Sequence, residues 1–167
     1  MPPNRSRSAA ISDTGRDRSL DATDVRILRE LAADPRAPLL RLASRVGLSR
    51  PAVGERIRRL ERAGVIRGWR IELDPKALGF EYTVFVRVRP GPGQVTTLEA
   101  LLRTLPSVVE CYRTTGDDSF LVKAVFATVP EFEEFFARIQ RYGQASASDV
   151  LSAVVPPRTV PLVDPRP

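Results

Sequence analysis

The residues of this chain best equipped for chemistry are arginines. Arg50, Arg56 and Arg58 gather at the end of the stretch Leu39 to Arg58, LLRLASRVGLSRPAVGERIR, and Arg59 follows it directly. A guanidinium presents its N–H donors in a planar fork, which matches phosphate oxygens and the paired acceptors on the major-groove edge of guanine. Spacing within the stretch says how such side chains would be held. Ala43 is small where two helices cross closely. Gly47 follows four residues later, where a tight turn needs φ > 0, and Val53 falls six residues beyond, on the inner face of a second helix. That pattern is a helix-turn-helix, which holds its second helix out toward the major groove of duplex DNA. Ser49 is the expected N-cap of this helix, and Pro51 fits its first turn. Arg50, at the end that enters a groove, suits paired bonds to guanine, worth about 1–3 kcal/mol of discrimination. Gly54 and Glu55 come one turn further in. A mid-helix glycine costs about 1 kcal/mol relative to Ala, so Gly54 marks either a close approach to DNA or a tolerated defect. Arg58 and Arg59 extend the basic stretch as phosphate grips.

Other chemistries are poorly supplied. The 167 residues include no histidine and a single cysteine, Cys111. The commonest general base and metal ligand is absent, and one thiol makes neither an intrachain disulfide nor a zinc cage. Asp117 and Asp118 offer an acid and a base, but no activated nucleophile or metal cluster accompanies them, so an enzyme is not expected. No cofactor and no metal are expected either. No apolar run approaches the roughly 20 residues of a membrane helix, and the first residues lack the apolar centre of a secretory signal. The expected placement is cytoplasmic, with no membrane partner.

Charge is unevenly spread. Residues 1–19 hold four Arg against two Asp, residues 20–70 twelve Arg against six acids, and residues 71–167 ten basic against twelve acidic residues. The net +6 therefore belongs to the amino-terminal part, as for a nucleic-acid module joined to something that is not one. Apolar residues make up 43%, enough for a packed core.

The elements that must position these residues follow from periodicity and punctuation. Residues 1–19 read as a disordered basic arm, either touching phosphates or merely extending the start. Asp21 is an N-cap, with Asp24 near the positive end of a helix carrying Ile27, Leu28 and Leu31 to about Ala33. Asp34-Pro35 ends it, and Pro38 opens the next, whose inner stripe is Leu39, Leu42, Ala43 and Val46. Val53, Ile57 and Leu60 face the core from the third helix, which Gly64 ends. Val65 to Leu73 reads as a strand, followed by a hinge at Asp74-Pro75 and Gly79. Strands are then expected at Tyr82–Arg89, Val108–Thr114, Phe120–Ala127 and Asp149–Val155. Helical stripes lie at Leu98, Leu101, Leu102, Leu105 and at Phe132, Phe135, Phe136, Ile139. The order βαββαβ is the ferredoxin-like arrangement, in which two helices cover one sheet face and leave the other for a second subunit. The fold class is therefore α+β. Its parts are an arm at 1–19, a helix-turn-helix domain at 20–67, a strand and hinge linker at 68–81, a ferredoxin-like domain at 82–156 and a Pro-rich tail at 157–167.

The chain resembles the leucine-responsive regulator/AsnC family of transcription factors. The residues that carry the match are Leu20-Asp21 with Asp24, Ile27 and Leu28, then GLSRPAVGERIRRLERAGVIRG at 47–68, LDPKALGF at 73–80 and ECYRTTGDD at 110–118. The resemblance spans about residues 20–156. It implies a winged-type helix-turn-helix that binds double-stranded DNA. It also implies an αβ sandwich of the RAM type that forms homodimers, often octamers, and often binds an amino acid between subunits. Arg56 matches an arginine typical of the family, either on DNA or paired internally with an acid. The implied effector segment is Gly116, Asp117, Asp118 and Ser119, with Ser119 standing where the family pattern has Asp; Ser152 is placed in the same pocket. An amino acid's ammonium wants carboxylate acceptors, and its carboxylate wants backbone N–H groups at a turn, both of which this segment offers. As an ordinary hairpin, the same residues would serve only the turn.

The expected function is a sequence-specific, oligomeric transcriptional regulator modulated by an amino acid or related small molecule. The alternative is an architectural, nucleoid-type DNA-binding protein without an effector.

Overall fold

A computed structural model describes residues 20–116 and 119–162. They divide into two compact units, one built on residues 20–70 and the other on 71–156.

The first unit begins with α1 (Ala22–Ala33), opened by a reciprocal cap. The Asp21 carboxylate accepts from Asp24 N at 2.7 Å, and the Asp24 carboxylate accepts from Asp21 N at 3.1 Å, which satisfies two donors a helix start would leave bare. Asp34 closes α1 in an extended conformation, and α2 (Leu39–Val46) follows with Pro38 at its N-cap rather than inside its first turn. Gly47 ends α2 at φ 71°, a left-handed conformation that a side chain resists. Ser49 then starts α3 (Arg50–Arg62), its hydroxyl accepting from Ala52 N at 3.4 Å. Ile27, Leu31, Leu42, Ala43, Val46 and Val53 close the core between the three helices, with Ile57 and Ile66 packed on its edge. The inner stripes expected of α2 and α3 are thus the packed ones, except that Leu39 stays 44% exposed.

The stretch Val65 to Leu73 forms no strand. Ile66 packs on the core, but beyond it the alternating apolar side chains are exposed, Trp69 by 50%, Ile71 by 78% and Leu73 by 56%, because no described strand offers its edge to pair with them. A single extended segment has no ladder to join, whatever its pattern.

The second unit is a four-stranded antiparallel sheet in the order β2-β3-β1-β4, from β1 (Tyr82–Pro90), β2 (Val108–Arg113), β3 (Phe120–Phe126) and β4 (Gly143–Asp149). Two helices, α4 (Val95–Thr104) and α5 (Val129–Gln140), connect it. Val84, Val86 and Val88 of β1 point the same way as Phe120, Val122, Ala124 and Phe126 of β3. Leu98, Leu101, Leu102, Phe135 and Ile139 from the two helices cover that face. Phe126 is gripped from α5 by Phe132 and Phe135, with ring centroids 5.6 and 5.1 Å away. The expected ferredoxin-like order is therefore the observed one. Its last strand lies six residues earlier than the apolar run Asp149–Val155 suggested. Pairing decides this: β1 offers its free edge from Pro90, opposite Gly143, to Val84, opposite Asp149. Beyond that only Val150 N still bonds to Thr83 O, and Leu151 and Val154 are more than 90% exposed.

Candidate nucleic-acid interface

α3 carries the cationic side chains, and its residues sort by angle. Pro51, Glu55, Arg58 and Arg62 recur at i, i+4, i+7 and i+11, which sets them on one outward stripe, and all four are exposed. Glu55 stands at the centre of that stripe. One carboxylate oxygen accepts from Arg58 at 3.0 and 3.1 Å, the other from Arg62 at 2.8 Å. The hydrogen bonds from Arg62 and then Arg58 hold the Glu55 carboxyl below its ordinary range. Arg58 is thus held by its own helix, in a pair of the kind that yields readily in water. Arg50, the first residue of α3, is exposed and forms no ion pair with the described residues.

The inward arginines do something else. Arg56 donates to Asp21 at 2.5 Å and to Asp24 at 2.9 Å, and Arg59 donates to the other oxygen of Asp24. Asp24 is fully buried and is the sole buried charged residue described. Both of its oxygens are used, by two guanidinium groups and by the Asp21 N–H, so the buried charge is matched on every side. Partial burial works to raise the Asp21 carboxyl, but bonds from Arg56 and from Asp24 N outweigh it and leave the carboxyl lowered. The Arg59 expected as a phosphate grip is therefore committed within the unit, and Arg56 takes the internal alternative. Together they bolt α3 to the start of α1 and fix the angle at which the outward stripe is presented. Sequence reasoning missed Asp24 as the bolt and read it only as a helix-end charge. The signal was present in two acids three residues apart, Asp21 and Asp24, opposite two arginines three residues apart.

Gly54 is buried beneath neighbouring side chains. A Cβ there would lie 3.8 Å from an Arg58 nitrogen and 3.9 Å from Leu39, in ordinary contact. The site has room for alanine, so Gly54→Ala should stabilise the unit by about 0.5–1 kcal/mol through helix propensity. A matching loss of DNA affinity in a binding titration would show that DNA backbone approaches this position. Unchanged affinity would mark the glycine as a tolerated defect.

In the second unit, a cavity of about 290 Å³ lies between α4 and the edge strand β2. Glu99 reaches Arg113 at 3.2 Å across it and Arg103 of its own helix at 3.4 Å, and the Arg113 guanidinium stacks over Phe120 at 5.4 Å. Partial burial, and then the nearby Glu99 charge, push the pKa of the exposed Cys111 thiol up. Just beyond Arg113 and Phe120 the strands join, with Thr114 N bonded to Ser119 O at 3.0 Å and Gly116 at φ 101°. Asp117 and Asp118 lie outside the described residues. Ser152 is not brought to this turn within one protomer. Phe120 lies level with Val88 and Ala145, whereas Ser152 leaves the sheet past Asp149, at the other end and beyond the opposite edge strand.

Among the described residues no helix is long and apolar enough to cross a membrane. Residues 20–61 match the AsnC-type helix-turn-helix domain, and residues 83–160 match the Lrp/AsnC ligand binding domain. The chain is 38% identical to the HTH-type transcriptional regulator LrpA of Mycobacterium tuberculosis over 73% of its own length and 82% of that protein's. It is 40% identical to the proline dehydrogenase transcriptional activator of Rhodobacter capsulatus over 69% of itself and 77% of the relative. Among solved structures, a transcriptional regulator from Neisseria meningitidis in complex with L-methionine matches 86% of this chain and 97% of its own. That match has a TM-score of 0.79 and 29% identity. The M. tuberculosis feast or famine regulatory protein complexed with L-methionine matches with a TM-score of 0.79 and 34% identity, over 85% and 99% of the two chains. These relatives are regulators, in keeping with a chain whose residues promised no catalysis. The anchored, arginine-faced helix and the ferredoxin-like sheet therefore belong to a DNA-binding transcriptional regulator of the Lrp/AsnC family.

Proposed function

We propose that this chain is a sequence-specific regulator that binds duplex DNA as a dimer and responds to an amino acid. The observation that carries the reading is Arg50. It is exposed and has no ion-pair partner among the described residues, at the open end of α3, a helix whose other arginines are anchored or neutralised within the unit. An unpaired guanidinium at a helix start is free to make paired bonds to a guanine edge, while Ser49 and Pro51 shape that end. Glu55 contributes selectivity. It keeps Arg58 and Arg62 in place before binding, and its carboxylate is an acceptor for a cytosine amino group.

The open sheet face supports the dimer. Phe85 and Leu121 are half-buried there and Tyr112 is 53% exposed, beside a Lys123–Glu110 pair at 3.4 Å. A second copy related by a two-fold axis would cover this face and carry a second α3. Nuclease footprinting should then show protected half-sites about 34 Å apart, one helical turn. Continuous protection without spaced sites would instead indicate a DNA-packing protein.

The effector reading draws on the L-methionine complexes of the two structural relatives and on the cavity that opens beside the β2–β3 turn. N–H groups around Gly116 suit the effector carboxylate, Ser119 adds a hydroxyl, and Asp117 and Asp118 are the acceptors for its ammonium. Such a ligand acts only through a difference in affinity between two arrangements of the DNA-binding units. Calorimetry of the full chain against the common amino acids should give saturable heat for at least one, L-methionine first. Silence from all of them would leave a ligand-independent regulator.

A further inference from the structure

The segment that leaves α3 carries two cations without a partner among the described residues. Arg67 and Arg70 are exposed and form no ion pair with the described residues. By contrast Arg41, Arg45, Arg56, Arg58, Arg59 and Arg62 each hold a carboxylate. Arg67 and Arg70 are thus charge left for something external, as Arg50 is at the other end of α3. The segment is also pinned. Val65 N and Ile66 N donate to Leu60 O at 2.9 and 3.1 Å, and Ile66 packs on the core. Trp69 donates its indole N–H to Glu61 in the last turn of α3 at 2.9 Å. Arg67 and Arg70 therefore flank a point fixed at the far end of α3 from Arg50.

Length decides what they can meet. The 13 residues of α3 make a rod about 20 Å long, while the major groove is about 12 Å wide. A rod that enters the groove by its Arg50 end cannot fit across it, so its other end comes to rest over the bordering phosphates. The geometry points to Arg67 and Arg70 as a second DNA contact, ionic and directed at the backbone beside the site, with Trp69 as the residue that positions it. This inference rests on α3 being the helix that docks. The contact adds grip and orientation without reading bases.

The test is titration of the full chain and an Arg67→Ala/Arg70→Ala variant with a mixed-sequence duplex of about 30 base pairs, between about 50 and 200 mM salt. Loss of two phosphate contacts should flatten the slope of log K against log salt by about 1.8 per bound protomer. The variant Arg67→Lys/Arg70→Lys should keep the wild-type slope, because point charge is what the phosphate needs. An unchanged slope in the alanine variant, with the wild type binding normally, overturns the inference. A wild type that binds no duplex would instead remove the reading of α3 on which it rests.

Discussion

Asp24→Ala should nearly unfold the DNA-binding unit while leaving the sheet unit intact. The substitution removes half of the α1 cap and strips Arg56 and Arg59 of their shared partner. Deleting one partner of a buried pair typically costs 3–5 kcal/mol. Arg56 and Arg59 keep 31% and 46% of their side-chain surface and can rehydrate, so the loss should sit near the lower limit, about 3 kcal/mol. A unit of this size has only about 2.5–7.5 kcal/mol in total. Trp69 is the chain's one tryptophan and is bonded to the end of α3, so its fluorescence reports this unit. Its denaturant midpoint should fall steeply in Asp24→Ala and by less in Asp24→Asn, which keeps the cap acceptor. An unmoved midpoint would mean that α3 is held by its apolar face alone. Acid should act in the same direction. The lowered Asp21 carboxyl contributes in full above its ordinary value of 3.8, and the contribution is lost as pH falls through its folded value. The midpoint should therefore drop modestly below about pH 4, since Asp21 is half exposed and solvent screens the pair.

Gly143→Ala should damage the other unit as severely. Gly143 opens β4 opposite Pro90, where the chain returns tightly against β1. A Cβ there would lie 2.1 Å from Arg89 O and 2.8 Å from both Gly91 N and Pro90 Cα. All three are backbone atoms, so no side chain can swing aside. Relief requires β4 to detach from β1 or the Pro90–Pro92 loop to move, which would break the Gly91 N to Tyr142 O bond of 2.8 Å. The expected loss exceeds about 3 kcal/mol. Circular dichroism should show the sheet melting early while the Trp69 transition stays in place. If dimerisation runs through the open sheet face, the variant should also sediment as a smaller species. A sheet that melts with the wild type would show that β4 tolerates a shifted path.

Residues whose neighbours are close in sequence declared themselves well. The caps at Asp21 and Ser49 and the turn at Gly47 depend on contacts within one or two turns, and the apolar stripes of α3 and α4 show in helical periodicity. Their spacing alone therefore identifies them. The two strands that were misjudged depend on partners far along the chain. Val150–Val155 has more β character than Gly143–Asp149, but β1 offers its hydrogen-bonding edge to the weaker sequence, and register prevails over propensity. Val65 to Leu73 has the alternation of a strand and no described edge to pair with. At the candidate interface the arginines were legible as a group and not as individuals. Whether a guanidinium faces DNA or an internal carboxylate turns on 100° per residue around α3 and on acids that lie about 32–35 residues away, a distance no local pattern spans.

We propose that α3 docks in a major groove with Arg50 reading a base. This docking is tested most directly by titrating wild type and Arg50→Ala against a footprinted site and a scrambled duplex of equal length. Wild type should prefer the site, and Arg50→Ala should lose about 1–3 kcal/mol on the site and little on the scrambled duplex. Equal affinity of wild type and variant for the footprinted site would contradict the account.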